Sequence, residues 1–178
     1  MVYDVIIIGG GSAGLAAGML FEKEKMQYII LEKGKDLLKR NVLEPEDVAS
    51  GVGGSGLFSD GKLSFPPSAS ELWGKLEGRQ LKSAYLFLRQ TLDSLGIIMP
   101  EWDEQWKKSE PVGGTKQYRS IMLNDFLRNR ILNCFYDKSR PYIYSDSEVV
   151  TISDMQNYYK VVVKNGKTYQ GRYLIIAS

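Results

Sequence analysis

Apolar positions in the first part of the chain form two short unbroken runs separated by a helical pattern. Residues 2–8 are almost wholly apolar and rich in β-branched side chains, and a glycine cluster ends the run. Such a run suits a strand covered on both faces of a parallel sheet. Residues 12–25 read as a helix whose Ala13, Ala16, Ala17 and Leu20 present a small-residue face able to approach a sheet closely. Residues 28–32, Tyr-Ile-Ile-Leu-Glu, predict a second buried strand ending in an acid. Strand, glycine turn, helix and strand make one βαβ unit.

The middle of the chain has a different pattern. Residues 34–68 show no period, become glycine-rich in their second half and close on Pro66-Pro67. A short helix is predicted over 70–78. A longer one is predicted over 79–95, where Leu81, Tyr85, Leu88, Leu92 and Leu95 recur at three and four and Gly96 stands ready to cap the end. A third helix is predicted over 119–133, with Ile121, Phe126, Leu127, Ile131 and Leu132 available for packing. Residues 147–153 and 158–164 then read as strands. Asn165-Gly166 between the second strand and its successor predicts a two-residue type I′ hairpin, which needs positive φ at both positions. Residues 167–170 continue the meander, and 172–177 form a last apolar strand. The expected organisation is a split domain, 1–66 and 141–178, interrupted by a helical insertion over 67–140.

Composition narrows the chemistry. The net charge of +2 is too small to point to a nucleic-acid partner. The single cysteine, Cys134, rules out a disulfide within the chain and a Cys-x-x-Cys redox pair; burial as a small hydrophobe is expected for it. With no histidine, neither a Ser-His-Asp nor a Cys-His catalytic pair can be built, and no metal site is expected. The apolar N-terminus lacks a basic flank and is too short to span a bilayer, so a cytoplasmic location is expected.

One motif carries specific chemistry. Gly9-Gly10-Gly11-Ser12-Ala13-Gly14 satisfies G-x-G-x-x-G, with a buried strand before it, a helix after it and Glu32 closing the next strand. Gly9 permits the tight turn, Gly11 lets a diphosphate approach the backbone, and Gly14 lets the helix pack on the sheet. Ser12 and Ala13 open the helix, whose free N–H groups and partial positive charge favour an anion. Glu32 is placed to accept hydrogen bonds from a pair of ribose hydroxyls, and its charge argues against a 2′-phosphate. These residues predict a dinucleotide site and leave FAD and NAD both open.

The string from Asp4 to Gly18, together with Leu31-Glu32-Lys33, resembles the start of the glutathione-reductase-like FAD/NAD(P)-binding superfamily. Residues 173–178, Tyr-Leu-Ile-Ile-Ala-Ser, are similar to that superfamily's returning strand, which ends Ala-Thr-Gly. Residues 51–63, Gly-Val-Gly-Gly-Ser-Gly-Leu-Phe-Ser-Asp-Gly-Lys-Leu, resemble the central segment of a family of uncharacterised FAD-dependent dehydrogenases, and Gly113-Gly114-Thr115 resembles a second segment of it. Leu57 departs from the family's usual threonine, and Gly18 stands where a larger apolar residue is common. The resemblance implies an α/β, FAD/NAD(P)-binding Rossmann-like three-layer fold: parallel sheet, helices and β-meander, with a helical insertion. It implies FAD as cofactor, with Lys33 after the ribose acid, Val149 against the adenine, and Ala177 and Ser178 at the end of the returning strand. Family members are longer and carry a later flavin-contacting segment, so a C-terminal continuation or partner chain completing the site is expected.

In the glycine-rich loop, Gly54, Ser55 and Gly56 can approach the isoalloxazine ring, and Lys62 can stabilise negative charge on a reduced flavin. Asp60 can orient Lys62 or cap a turn. Trp102 and Trp106 are expected to pack locally. No catalytic residue, substrate or electron donor is identified. The expected function is the FAD-binding portion of a dehydrogenase-type oxidoreductase. The alternatives are an NAD-binding dehydrogenase domain and a non-catalytic nucleotide-binding or assembly module.

Overall fold

A computed structural model describes residues 1–65, 75, 77–104 and 118–178. The chain divides into two compact units, 1–59 with 132–178, and 60–131. The expected helix over 70–78, Trp106 and Gly113-Gly114-Thr115 fall wholly or largely outside the described residues.

In the first unit the apolar runs become β1 (Tyr3–Ile8) and β2 (Tyr28–Leu31), paired in parallel with Ile7 beside Ile30. Between them lies α1 (Ser12–Lys23), and a short helix, α2 (Pro45–Ala49), follows β2. A short strand, β5 (Ile143–Tyr144), extends the parallel sheet beyond β2. On the other side of β1 stands β8 (Thr168–Ile176), and its neighbours β7 (Tyr159–Val163) and β6 (Val149–Asp154) complete the order β5-β2-β1-β8-β7-β6. The last two pairings are antiparallel.

One long strand thus serves two purposes. The first half of β8 pairs with β7 in the meander, its second half pairs in parallel with β1, and Gly171 is in register with both Tyr159 and Tyr3. The expected break between 170 and 172 is absent, because the backbone ladder runs through Gly171 without interruption.

Strand alternation sorts the core into two sides. Ile6, Ile29 and Leu31 cluster with Val161 and Val163 of the meander. On the opposite side, Ile7, Tyr28 and Ile30 lie under α1. A β-carbon added at Gly18 would stand 2.9 Å from Ile30 Cδ1 and 2.8 Å from Ser139 Oγ, so the sheet and Ser139 fill the space a larger residue would need. The buried stripe of α1 is Gly14, Leu15 and Gly18, not the expected alanine face, and Leu20 is exposed. Three layers result: helix, parallel sheet and meander.

The hairpin between β7 and β8 differs from a type I′ turn. Gly166 has φ of 84°, but Asn165 is not among the residues with positive φ. Gly166 N–H donates to Val163 O (2.8 Å), and Asn165 Oδ1 accepts from Lys167 N–H (3.0 Å). The loop is longer than two residues, so a single left-handed residue suffices.

The second unit is built on α3 (Gly78–Ser94), which buries Leu81, Tyr85 and Leu92, and on the antiparallel pair β3 (Lys62–Ser64) and β4 (Ser120–Met122). Phe65, Tyr85, Leu92, Ile97, Met99 and Leu123 form its core. Trp102 packs edge-on against Tyr85 at 5.2 Å, and Tyr85 donates its hydroxyl to Pro100 O (2.7 Å). The predicted helix over 119–133 starts later. Ile121 is a strand residue opposite Leu63, and α4 runs from Asp125 to Ser139 after Asn124, whose Oδ1 accepts from Leu127 N–H (2.9 Å). Pairing with β3 takes residues 120–122, so the helix cannot begin before the Asn124 cap. The second compact unit therefore begins at Asp60 and ends within α4, at Ile131, where an insertion over 67–140 was expected.

Candidate functional site

The first glycine turn sits where β1 gives way to α1, at the carboxyl end of the parallel sheet. Gly9 has φ of 105°, and a β-carbon there would lie 2.6 Å from Ala177 O, so only glycine fits between β1 and the end of β8. Gly14 is buried below the turn, close against Gly9. Gly11 differs from both. Its φ of −71° suits any residue, and the nearest atom to an added β-carbon is Gly54 Cα at 3.8 Å. The space beside Gly11 is therefore left open by the protein itself.

That space belongs to a cavity of about 530 Å³ at the carboxyl ends of β1, β2 and β8, with Ile8, Leu31 and Ala177 in its lining. Gly9, Gly11, Ser12 and Ala13 line one side. Glu32 and Lys33 follow from β2, Gly54, Ser55 and Gly56 come from the second glycine loop, and Val149, Ala177 and Ser178 come from the meander and returning strand. Gly14 supports this cavity from below without lining it. Lys62 is not part of the lining. It belongs to the second unit, where its Nζ lies 3.2 Å from the Tyr118 hydroxyl and 5.0 Å from the centre of that ring. Asp60 caps the turn there, accepting from Lys62 N–H (3.0 Å).

Glu32 is only 6% exposed, and its carboxylate is largely occupied by backbone. Oε2 accepts from Gly10 N–H (2.7 Å), and Oε1 accepts from Gly34 N–H (2.8 Å) and Gly51 N–H (3.2 Å). The acid thus ties the first glycine turn to the second glycine loop. Oε2 keeps acceptor capacity beyond its bond from Gly10, and the folded loops supply donors that a linear sequence does not display.

The two loops are also joined directly, by Gly53 N–H donating to Gly10 O (2.8 Å). Around the second loop stands a polar hub that sequence reasoning missed. Asp47 is buried and accepts from Asn41 N–H (2.8 Å) and Lys35 Nζ (3.0 Å), which hold its carboxyl below the usual carboxylate range. Arg40 reaches the carbonyls of Asp47, Val48, Val52 and Gly54. Burial pushes its guanidinium pKa down, partly offset by Asp47 and Glu32. No local pattern marks Arg40 or Asp47, since Arg40 bonds only backbone carbonyls and Asp47 joins a side chain and a backbone N–H from separate points of a non-periodic segment. Ser147 and Glu148 also line the cavity unforeseen. Glu148 pairs with Lys164 (2.8 Å), which holds its carboxyl below the ordinary range. Cys134 is half-buried, and among the described residues no group of three His, Cys, Asp or Glu side chains is arranged to hold a metal. No described helix is long and apolar enough to cross a membrane.

Residues 4–38 match the family model of the FAD binding domain. No curated protein matches the chain. Its fold is similar to that of OTEMO in complex with FAD and NADP, at 16% identity and a TM-score of 0.53, over 98% of this chain and 25% of that one. It is also similar to oxidised steroid monooxygenase bound to NADP, at 16% identity and a TM-score of 0.52, over 99% and 26% of the two chains. The Diels-Alderase PyrE3 aligns at 14% identity and a TM-score of 0.51, over 98% and 32%. The chain spans a quarter to a third of the length of these structures. The likeness shows the fold, an α/β arrangement of the Rossmann type.

Proposed function

We propose that this chain is the FAD-binding portion of a flavin-dependent oxidoreductase of dehydrogenase type. The observation that carries the reading is the contrast among the three motif glycines. Protein atoms fill the β-carbon space at Gly9 and Gly14, whereas the space at Gly11 opens into a cavity lined by Ser12, Ala13 and the second glycine loop. An ADP diphosphate fits that opening, where N–H groups of the first turn of α1 face an anion. Glu32 Oε2 accepts one ribose hydroxyl while its other bonds keep the loops in place. Val149 flanks the adenine at the edge of the meander.

When bound, FAD supplies the hydride-accepting chemistry. This chain's residues bind the ADP half, orient it and exclude a 2′-phosphate through the Glu32 charge. A C-terminal continuation or a partner chain completes the flavin side of the site and brings the substrate. The reading rests on the fold, on residues 4–38 and on the cavity.

The test is direct titration. Purified protein is titrated with FAD, ADP and NAD, following FAD fluorescence and the visible spectrum. FAD binding that ADP displaces and NAD does not is the expected result. NAD binding with no response to FAD would move the assignment to a nicotinamide dehydrogenase.

A further inference from the structure

Arg40 makes no contact that its own strand, helix or turn requires. It is half-buried, and its donors all go to main-chain carbonyls, those of the short helix Pro45–Ala49 and those of the glycine loop that follows it. Nε donates to Asp47 O (2.9 Å), and Nη1 donates to Val52 O (2.8 Å) and Gly54 O (2.8 Å); Nη2 also bonds Asp47 O. The Phe58 ring lies 5.1 Å beneath the guanidinium carbon. Such a planar fork, with donors at fixed angles, can hold several carbonyls at once, which a lysine ammonium on a flexible stem does less well.

The peptide group turns this grip into a statement about the opposite side of the loop. In a trans peptide the C=O of one residue and the N–H of the next point in opposite directions. Val52 O is held by Arg40, and the N–H across that peptide, at Gly53, reaches Gly10 O in the first glycine turn. Gly54 O is held the same way, so Ser55 N–H points away from Arg40. Ser55 lines the cavity, and its N–H has no acceptor among the described residues. The loop here abuts the first turn: a β-carbon on Gly54 would lie 3.1 Å from Gly11 Cα and 3.9 Å from Ser12 N.

We infer that Arg40 is a positioning residue for the cofactor's diphosphate: by holding Val52 O and Gly54 O it turns Ser55 N–H toward the anion that Ser12 and Ala13 face from the other side. The inference rests on the ADP site proposed above and adds a second wall to it. Arg40 itself does not touch the ligand.

The experiment is an amide-resolved titration of the full 178-residue chain with ADP, with adenosine as the probe lacking phosphate. In the wild type, ADP moves the amide resonances of Ser12, Ala13 and Ser55 together, and adenosine leaves Ser55 in place. Arg40→Met then binds ADP about tenfold more weakly, the loss of roughly one charge-assisted hydrogen bond, and binds adenosine unchanged. Ser55 stops responding in that variant. A folded Arg40→Met with wild-type ADP affinity overturns the inference. If Arg40→Met does not fold, Arg40→Lys is used, and full ADP affinity in it overturns the inference equally. If Ser12 and Ala13 move with ADP while Ser55 stays still in the wild type, Arg40 loses this role and the ADP site stands. If ADP moves none of the three, the ADP site itself is wrong.

Discussion

A β-carbon on Gly14 would stand 1.9 Å from the Gly9 carbonyl oxygen, while the same atom on Gly11 would find nothing nearer than 3.8 Å. Two glycines of one motif therefore meet different surroundings, one packed by the fold and one open, and the proposed ADP site gives the open one its purpose. Gly14→Ala is expected to destabilise the protein by at least about 2 kcal/mol, since the backbone must move to relieve the overlap. Gly11→Ala is expected to leave the urea midpoint unchanged and to weaken ADP and FAD binding by at least about tenfold. Paired urea melts and titrations check this, and equal destabilisation by both changes would contradict it.

Glu32→Gln replaces one carboxylate oxygen by an NH₂ group that faces a backbone donor whichever way the amide is turned. Gly10, Gly34 and Gly51 all donate to this side chain, so at least one buried donor loses its acceptor. The expected cost is about 1–3 kcal/mol in chemical denaturation. Weaker ADP binding accompanies it, because the two glycine loops are no longer tied together. A variant as stable as the wild type would show that these bonds do not hold the loops.

Tyr28 is buried under α1 beside Tyr142, at 4.7 Å between ring centres, and burial pushes its hydroxyl pKa up from 10.0 to about 12. Above its ordinary value the unfolded chain gives up that proton while the folded chain retains it. The stability this protection represents is fully present below pH 10.0 and is lost as pH rises toward about 12. Tyr28→Phe is expected to flatten the fall in stability across that window, measured by urea unfolding at a series of alkaline pH values. An unchanged slope would exclude Tyr28 as its source.

Asp47 is expected to contribute to the acid limb of stability. Hydrogen bonds from Asn41 N–H and Lys35 hold its carboxyl below the usual range, so its contribution is present above the unfolded-state pKa and disappears as pH falls through the folded one. Asp47→Asn is expected to be less stable at neutral pH and to lose stability less steeply below about pH 4. Circular dichroism during acid titration distinguishes this from a variant whose acid limb is unaltered.

Local patterning made the βαβ unit, the meander strands and the long amphipathic helix legible in the sequence. Burial on a strand or helix face repeats with the period of the element, and a glycine required by a tight turn stands at a definite offset from it. Gly9, Gly11, Ser12, Ala13 and Val149 were found in this way or by resemblance, and the fold brings them around one cavity. Tertiary structure decided what periodicity does not encode. Glu32 is bound by three N–H groups from segments separated in sequence. Arg40 grips carbonyls of a loop without a period. Lys62 lies against Tyr118 in the second unit, residues 120–122 are claimed by a strand, and one left-handed glycine suffices in a hairpin that predicted two such residues. The reason is physical. An amphipathic face reports only that a residue is covered, whereas a hydrogen bond depends on which distant peptide group the finished chain brings within 3 Å.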